Sequence, residues 1–223
     1  MPGAGHLHER SIGVALFITA EGIEGSGKST LLTALAERLR DDGIDLVLSR
    51  EPGGTPAGER IRTLALEPEQ AIAPLTEALL MQADRAQHVA HLIAPALRAG
   101  RWVLCDRFTT ASFAYQGYGH GVPLDTLRTL AAIATGGLEP DVVLLVDIPV
   151  ELSLERVAAR AASSGRVTDR MEREETAFHQ RVRDGYLALA RENPKIRVLD
   201  GKRPAATLLE DALGIVRAAA KAK

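Results

Sequence analysis

The sequence GIEGSGKS, residues 22–29, follows an apolar run at 14–19 and precedes a stretch, 31–35, with the apolar spacing of a helix. It matches the pattern G-x-x-x-x-G-K-[ST], in which a glycine-rich loop joins a strand to a helix. Glycines allow successive backbone N–H groups to point toward one anion, and the helix N-terminus adds a positive dipole there. The segment therefore predicts a loop that binds the phosphates of a nucleoside triphosphate.

Two side chains of this loop have chemistry of their own. Lys28 can reach the β- and γ-phosphates, and the hydroxyl of Ser29 can ligate Mg²⁺. A third, Glu24, is unexpected, because a carboxylate among phosphates is electrostatically unfavourable. The triphosphate is expected to contact the loop and the first helical residues, which are Gly22, Ile23, Glu24, Gly25, Ser26, Gly27, Lys28, Ser29 and Thr30.

The rest of the chain alternates between two kinds of apolar pattern. Short apolar runs typical of strands occur at 14–19, 44–48, 102–105, 142–146 and 196–199. Longer stretches with helical spacing lie at 28–42, 74–99, 123–135, 150–162, 171–192 and 204–221. Strands that are apolar throughout and alternate with helices indicate a parallel sheet covered on both faces. The prediction is an α/β fold of the P-loop NTPase class with a five-stranded parallel sheet.

The chain is expected to form one domain over 13–223, preceded by a polar, flexible tail at 1–12 that lacks the apolar core of a signal peptide. Small residues and arginines are concentrated at 158–170. Such a composition is typical of a mobile surface segment that brings cations over a phosphate. We therefore predict a lid at about 159–170, although a solvated basic loop would have the same composition.

Composition excludes several classes of function. The 223 residues are 46% apolar and 25% charged, which is typical of a globular protein. A formal net charge of −2 disfavours sequence-independent binding to nucleic acid, and no apolar stretch approaches the roughly 20 residues that span a bilayer. The single cysteine, Cys105, fits a reducing compartment and is expected in the core. We predict a cytoplasmic protein without nucleic-acid or membrane partners.

Ligands of a parallel sheet gather at the carboxyl ends of its strands, and polar residues occur there. After the third apolar run, Asp106 can hold Mg²⁺ or its waters, and Arg107 offers five N–H donors to phosphate oxygens. After the second run, the stretch 49–56 contains Arg50 within a loop stiffened by proline. These positions favour phosphoryl transfer, which requires positioning and positive charge around the migrating group.

Other catalytic chemistries find little support in the sequence. No serine, histidine and acid arrangement or activated cysteine is evident. His88 and His91 lie on one predicted helix, and we interpret them as residues of the surface or of the edge of the core. Phosphoryl transfer needs none of these groups.

The sequence resembles the thymidylate kinases, P-loop enzymes that transfer the γ-phosphoryl group of ATP to dTMP. The resemblance rests on FITAEGIEGSGKST (17–30), REPGGT (50–55), LLMQADRAQHV (79–89), DRFTTASFAYQG (106–117) and GRVTDRMEREETAFHQRVRDGY (165–186). These stretches occur in the family's order and cover nearly the whole chain after the tail. The P-loop alone predicts only NTP binding, whereas the REPGGT and DR…AYQG stretches are specific to this family.

The resemblance implies roles for the catalytic candidates. Glu24 occupies the position of a carboxylate that faces the nucleotide acceptor and orients it. Gly25 follows where one form of the family has a catalytic basic residue, so this sequence resembles the other form, in which lid arginines supply that charge. The implied catalytic residues are Glu24, Lys28, Arg107, Arg160 and Arg166, with the last two as alternatives for the lid cation.

It also implies an acceptor site. Arg107 corresponds to the arginine that contacts the monophosphate, Arg85 to the one that contacts the base edge, and Arg50 is expected near the acceptor phosphate. The positions lining base and sugar are Ser112, Tyr115 and Gln116. A tyrosine ring against the sugar would exclude a 2′-hydroxyl group.

One position departs from the family. Met81 stands where an aromatic residue usually stacks on thymine, and methionine selects ring geometry less strictly. Relaxed base selectivity or weaker acceptor binding is therefore predicted.

The resemblance implies ATP, dTMP and Mg²⁺ as ligands, with Mg²⁺ held by Ser29 and Asp106. It also implies a homodimer, for which the helix at 74–99 is a candidate interface.

Two other functions remain open from the sequence. A different pyrimidine nucleoside-monophosphate kinase would share the P-loop and lid. A P-loop regulatory module would not transfer a phosphoryl group to a small molecule. It would therefore have no use for the predicted acceptor-site residues Arg85, Arg107 and Tyr115.

Overall fold

The computed structural model describes residues 15–68, 71–164 and 169–223. The predicted tail at 1–12 and residues 165–168 of the predicted lid, including Arg166, lie outside the described residues. The described strands form one parallel sheet in the order β2-β3-β1-β4-β5. They are β1 Phe17–Glu21, β2 Leu46–Arg50, β3 Trp102–Asp106, β4 Val142–Asp147 and β5 Ile196–Asp200. The predicted five-stranded parallel sheet is confirmed.

The helices of the described chain are α1 Lys28–Asp41, α2 Pro56–Leu66, α3 Pro74–His88, α4 Ala94–Arg98, α5 Thr109–Ser112, α6 Leu124–Thr135, α7 Val150–Ser164, α8 Thr176–Glu192 and α9 Ala205–Ala222. Two π-helical turns, Val89–Ile93 and Phe113–Gly119, follow α3 and α5, and a 3-10 turn spans Met171–Arg173. The prediction at 74–99 treated α3, the first π-helical turn and α4 as a single helix. Pro95, which lacks a backbone N–H, lies just after that turn and disrupts regular α-helical bonding there.

The sequence-based prediction missed α2. This helix begins after Thr55, whose hydroxyl accepts a hydrogen bond from the Gly58 N–H at 3.0 Å, and Pro56 occupies its first turn. Threonine followed by proline is a helix start signal. The glycines and prolines of the preceding loop obscured it, and the sequence analysis predicts only a loop stiffened by proline at 49–56.

Helices cover both faces of the sheet because alternate side chains of each strand point in opposite directions. On β1, Ile18 packs with the apolar sides of α1 and α9, including Leu35 and Val216. Phe17 packs on the other face with Ile93 and with Cys105, which is buried as predicted. The hydrophobic core therefore lies in two layers, one on each side of the sheet.

Strand register places the carboxyl ends of the central strands side by side. Ala20 of β1 and Arg50 of β2 both align with Asp106 of β3. The loops that follow these strands consequently open at one edge of the sheet, the edge where the sequence predicted the site. Among the described residues, no helix has the length and apolar character needed to cross a membrane.

Candidate active site

The loop between β1 and α1 depends on glycines where the backbone is tightly enclosed. Gly22 has a φ of +139°, and a Cβ there would lie 2.5 Å from the Val146 carbonyl oxygen. Gly25 has a φ of +69°, and its Cβ would lie 2.9 Å from the Ser153 carbonyl oxygen. The Ser153 hydroxyl also donates to the Glu24 carbonyl oxygen at 2.6 Å. The start of α7 therefore supports the loop from behind and fixes its shape.

Lys28 begins α1 with only 8% of its surface exposed. Burial is the main cause that lowers the pKa of its ammonium group, and the nearby Arg107 lowers it further. Asp106, Glu24 and Glu21 act in the opposite direction through their charges. Across the part of the chain that the structure describes, the ammonium group makes no hydrogen bond or ion pair, so its donors are available to a ligand.

A cavity of about 480 Å³ connects this loop to the region predicted to bind the acceptor. Its lining includes the predicted residues Glu24, Gly25, Lys28, Ser29, Arg50, Met81, Arg85, Asp106, Arg107, Ser112, Tyr115, Gln116 and Arg160. The other predicted loop residues, Gly22, Ile23, Ser26, Gly27 and Thr30, do not line it. Ile23 and Ser26 are buried beneath the loop instead.

Glu24, Arg107 and Tyr115 form a compact network at the centre of the cavity. Arg107 Nη2 donates to Glu24 Oε1 at 2.7 Å and to the Tyr115 hydroxyl at 3.0 Å. The same hydroxyl lies 2.7 Å from Glu24 Oε2, to which it donates. Burial acts to raise the pKa of Glu24, but Arg107 and Lys28 outweigh it and lower that pKa. Glu24 is therefore an ionised carboxylate that holds a cation and a phenol in place.

Arg107 adopts an unusual backbone conformation, with a φ of +72°. Left-handed backbone is unfavourable for a residue with a side chain, so neighbouring bonds must hold it. Its N–H donates to the Ala20 carbonyl oxygen at 2.9 Å, and the next N–H, of Phe108, donates to Glu21 Oε1 at 2.8 Å. These bonds turn the Arg107 side chain from the end of β3 into the cavity.

Glu21 supports the same arginine from below. It is fully buried, and its Oε2 accepts a hydrogen bond from the Tyr186 hydroxyl at 2.9 Å. That hydroxyl accepts from Arg107 Nη1 at 3.2 Å. Burial raises the pKa of Glu21 to about 7, although Arg107 and the hydrogen bonds from Phe108 and Tyr186 oppose this. The sequence analysis did not identify Glu21, which lies between the apolar run at 14–19 and the loop at 22–29.

Arg85 of α3 is held rigidly at the opposite end of the cavity. It is 2% exposed. Its donors reach Glu51 Oε2 at 2.8 Å, Gln82 Oε1 at 2.9 Å, the Ser112 hydroxyl at 3.0 Å and the Phe108 carbonyl oxygen at 2.8 Å. A guanidinium group has five N–H donors, so four are used and one remains for a ligand.

His88 corrects one interpretation made from the sequence. It is fully buried instead of lying at the surface or at the edge of the core. Its Nδ1 lies 2.9 Å from Glu51 Oε1 and its Nε2 lies 2.7 Å from the Ser49 hydroxyl. Glu51, His88 and Cys105 have potential metal-ligating atoms within 4.8 Å of one another. Both carboxylate oxygens of Glu51 already have partners, so the cluster positions Arg85.

Arg62 of α2 is a lining residue that the sequence analysis missed along with its helix. Its Nη1 donates to the Pro52 carbonyl oxygen at 2.9 Å and so braces the loop after β2. Asp84 also lines the cavity, and its Oδ1 accepts the Gly53 N–H at 2.9 Å. Burial, reinforced by the charge of Glu51, raises the pKa of Asp84 to about 6.

The remaining predicted residues lie around the rim. Arg50 pairs with Glu59 at 3.0 Å, and about half of each side chain is exposed. Arg160, near the end of α7, pairs with Glu172 at 2.7 Å. The hydroxyl of Ser29 donates a hydrogen bond to Asp106, so the two predicted metal ligands are adjacent. Their hydroxyl and carboxylate oxygens suit Mg²⁺, which prefers oxygen ligands and usually retains several waters.

A glycine-rich loop at the end of a central parallel strand, an available lysine and an adjoining arginine-lined cavity define a P-loop phosphotransferase with a separate acceptor site. A family model described as thymidylate kinase matches residues 20–212. The chain therefore belongs to the thymidylate kinase family, which confirms the identification made from sequence.

Individual relatives agree over most of the chain. The thymidylate kinase of Alkalilimnicola ehrlichii is 51% identical over 202 residues, which cover 88% of this chain and 91% of the relative. That of Pseudomonas entomophila is 51% identical over 195 residues, with 86% and 90% covered. That of Desulfovibrio desulfuricans is 50% identical over 193 residues, with 85% and 89% covered.

Proposed function

We propose that this protein transfers the γ-phosphoryl group of ATP to dTMP, which yields dTDP and ADP for dTTP synthesis. The observation that supports this most directly is the single cavity that joins Lys28 and Ser29 to Arg85 and Gln116. ATP would bind at the Lys28 end of this cavity and dTMP at the Arg85 end, with their reacting phosphates between them. Membership of the thymidylate kinase family supports the same two substrates.

Arg107 is the residue we assign to the dTMP phosphate. Three of its five donors are used by Glu24, Tyr115 and Tyr186, so two remain for phosphate oxygens. Charge-assisted bonds of this kind position the attacking oxygen and neutralise its charge. Glu24 orients Arg107, and with it the acceptor, without contacting the triphosphate.

Tyr115 is assigned to the sugar. Its hydroxyl is bonded to Glu24, and the guanidinium carbon of Arg107 lies 4.6 Å from the centre of its ring. A ring held from both sides cannot move away from a bulkier sugar. It would therefore disfavour a 2′-hydroxyl group by steric exclusion.

Ser29 and Asp106 would hold Mg²⁺, because their oxygen atoms are adjacent and both line the cavity. When bound there, Mg²⁺ supplies positive charge that offsets the charge of the ATP phosphates. Lys28 adds a second positive charge from the protein. Arg160 is our candidate for the cation that approaches from the lid side, and Arg166 keeps the same role as a prediction from the sequence.

The test is ADP formation from ATP and Mg²⁺ with dTMP, dUMP, UMP, dCMP and dGMP as separate acceptors, each corrected for hydrolysis without acceptor. We expect strong dependence on dTMP and weak turnover of UMP. Preference for UMP would overturn the thymidylate assignment, and ATP hydrolysis that no acceptor stimulates would contradict a kinase function. The ratio of dTMP to dUMP turnover measures how selectively Met81 covers the methyl-bearing ring.

We also propose a cytoplasmic homodimer. On α3, Leu75 and Leu79 are 51% and 48% exposed, and on the adjacent α6, Ile133 is 76% exposed. Large exposed apolar side chains on neighbouring helices are typical of a protein interface. Sedimentation of the wild-type protein and of a Leu79→Glu variant tests this: a dimer that becomes monomeric is expected, and a wild-type monomer at all concentrations would refute the dimer.

A further inference from the structure

A buried carboxylate lies directly behind the base end of the cavity. Glu77 of α3 is fully buried and is not part of the cavity lining. Gln116, in the π-helical turn after α5, is 4% exposed and does line the cavity. Gln116 Nε2 donates to Glu77 Oε1 at 2.6 Å. One residue of the lining is thus held by another that no ligand in the cavity touches.

The charge of Glu77 decides the direction of this hydrogen bond. Its Oε2 is paired with Arg170, and His120 Nε2 lies 3.5 Å from the same oxygen. Burial acts to raise the pKa of Glu77, but the nearby His120 and the charge of Arg170 outweigh it and lower that pKa. An ionised carboxylate only accepts hydrogen bonds. The amide nitrogen of Gln116 must therefore face Glu77.

With its nitrogen fixed, the amide of Gln116 has its carbonyl oxygen on the other side. No hydrogen bond among the described residues reaches Gln116 Oε1, and this oxygen is not among the buried atoms that lack a partner. It is therefore open to the cavity as an acceptor. Arg85, on the same lining, keeps one N–H donor, as described above. This side of the cavity therefore offers a base one hydrogen-bond acceptor, Gln116 Oε1, and one donor, the remaining N–H of Arg85.

We propose that Glu77 is a specificity-positioning residue, which fixes the amide of Gln116 so that the cavity favours a pyrimidine whose N3 carries a hydrogen. Thymine and uracil have an N3–H donor beside a carbonyl acceptor, which complements Gln116 Oε1 and the remaining Arg85 donor. Cytosine has an acceptor at N3 and an amino donor beside it, so both contacts would be mismatched. Glu77 acts through Gln116 and does not touch the substrate.

This inference rests on the proposed function, so the first step uses the wild-type protein. dUMP and dCMP both lack the 5-methyl group, and their comparison isolates the base edge that forms hydrogen bonds. A mismatched buried polar contact weakens binding by at least about fivefold, so we expect kcat/KM for dUMP to exceed that for dCMP by at least about 30-fold when both contacts are lost. N3-methyl-dUMP, which has no N3 donor, should also be a poor acceptor.

The second step uses Glu77→Gln, which preserves shape but can donate as well as accept, and so permits either orientation of the Gln116 amide. We expect the dUMP to dCMP ratio of kcat/KM to fall at least about tenfold. The matched control is Glu174→Gln, which neutralises a carboxylate 4.0 Å from both His120 and Arg170 without contacting Gln116. Its ratio should equal the wild-type ratio.

The results distinguish the proposed phosphorylation of dTMP from the positioning role of Glu77. If the wild-type protein does not phosphorylate dTMP, the proposed function and this inference both fall. If dTMP is phosphorylated but Glu77→Gln keeps the wild-type ratio, or Glu174→Gln lowers it equally, only the inference falls. If Glu77→Gln does not fold, the wild-type comparison decides, because equal turnover of dUMP and N3-methyl-dUMP would refute an acceptor at Gln116.

Discussion

Replacing Glu21 by glutamine tests the support beneath Arg107. Glu21 is fully buried, and its immediate partners are the Phe108 N–H and the Tyr186 hydroxyl. The charge of Arg107 lowers the pKa of Glu21 and the charge of Asp106 raises it. Glutamine has nearly the same shape and does not titrate. The variant therefore removes the proton equilibrium of this site while its carbonyl oxygen can still accept the Phe108 N–H.

Burial raises the pKa of Glu21 from 4.5 to about 7, so between these values the folded protein holds a proton that the unfolded chain has released. A folded state that binds more protons loses stability as the pH rises. The free energy of unfolding should fall by about 1.4 kcal/mol for each pH unit in this window, which totals about 3 kcal/mol by pH 8. The contribution is fully present below pH 4.5 and lost above about pH 7.

The assay is urea-induced unfolding of wild type and Glu21→Gln at pH 5, 6, 7 and 8, followed by circular dichroism. The stability of the variant relative to wild type should rise by about 3 kcal/mol across this range. Glu37→Gln, at an exposed position of α1, is the control for a general effect of removing a carboxylate. A difference between Glu21→Gln and wild type that is constant from pH 5 to pH 8 would refute the reasoning.

Three further predictions concern the P-loop and the base site. Lys28→Met should lower kcat at least about 100-fold in the ADP-release assay without lowering the melting temperature, because it removes a buried cation that has no partner among the described residues. A large loss of stability would contradict this. Gly22→Ala should lower the free energy of unfolding in urea by more than about 2 kcal/mol. Gly43→Ala is the control, because Gly43 also has a positive φ but open space around its Cβ, and it should lower that free energy by about 1 kcal/mol. Equal losses would refute the steric argument. Met81→Phe should lower the KM for dTMP about 2- to 10-fold by stacking on the base, and an unchanged KM would exclude that contact.

Much of the fold was predictable because its signals are local. Each strand is a short apolar run, and the loop at 22–29 joins the first of them to a helix. Among the described helices, α2 and the short α5 with its π-helical turn escaped prediction. In both cases, turn-forming or β-branched residues next to the helix start masked a weak apolar period.

For candidate site residues on short motifs, the position at the cavity was also predictable, whereas the residues that support them were not. Arg107 and Gln116 stand in stretches with a recognisable pattern, and both line the cavity. Glu21, Glu77 and His88 are polar residues within apolar or helical stretches, and they are fully buried. The residues next to them in the sequence do not indicate that they are buried, because their hydrogen-bond partners lie on other elements.

The sequence alone determined the glycine-rich loop, the parallel sheet and the edge of the sheet where the cavity opens. These features follow from backbone conformation and from apolar periodicity, both of which are set by residues close together in the chain. Only the tertiary structure decided which polar and charged groups meet. Arg107 and Glu24 are 83 positions apart, and Gln116 and Glu77 are 39 apart. A buried charge requires a partner, but the order of strands and the packing of helices determine which residue supplies it.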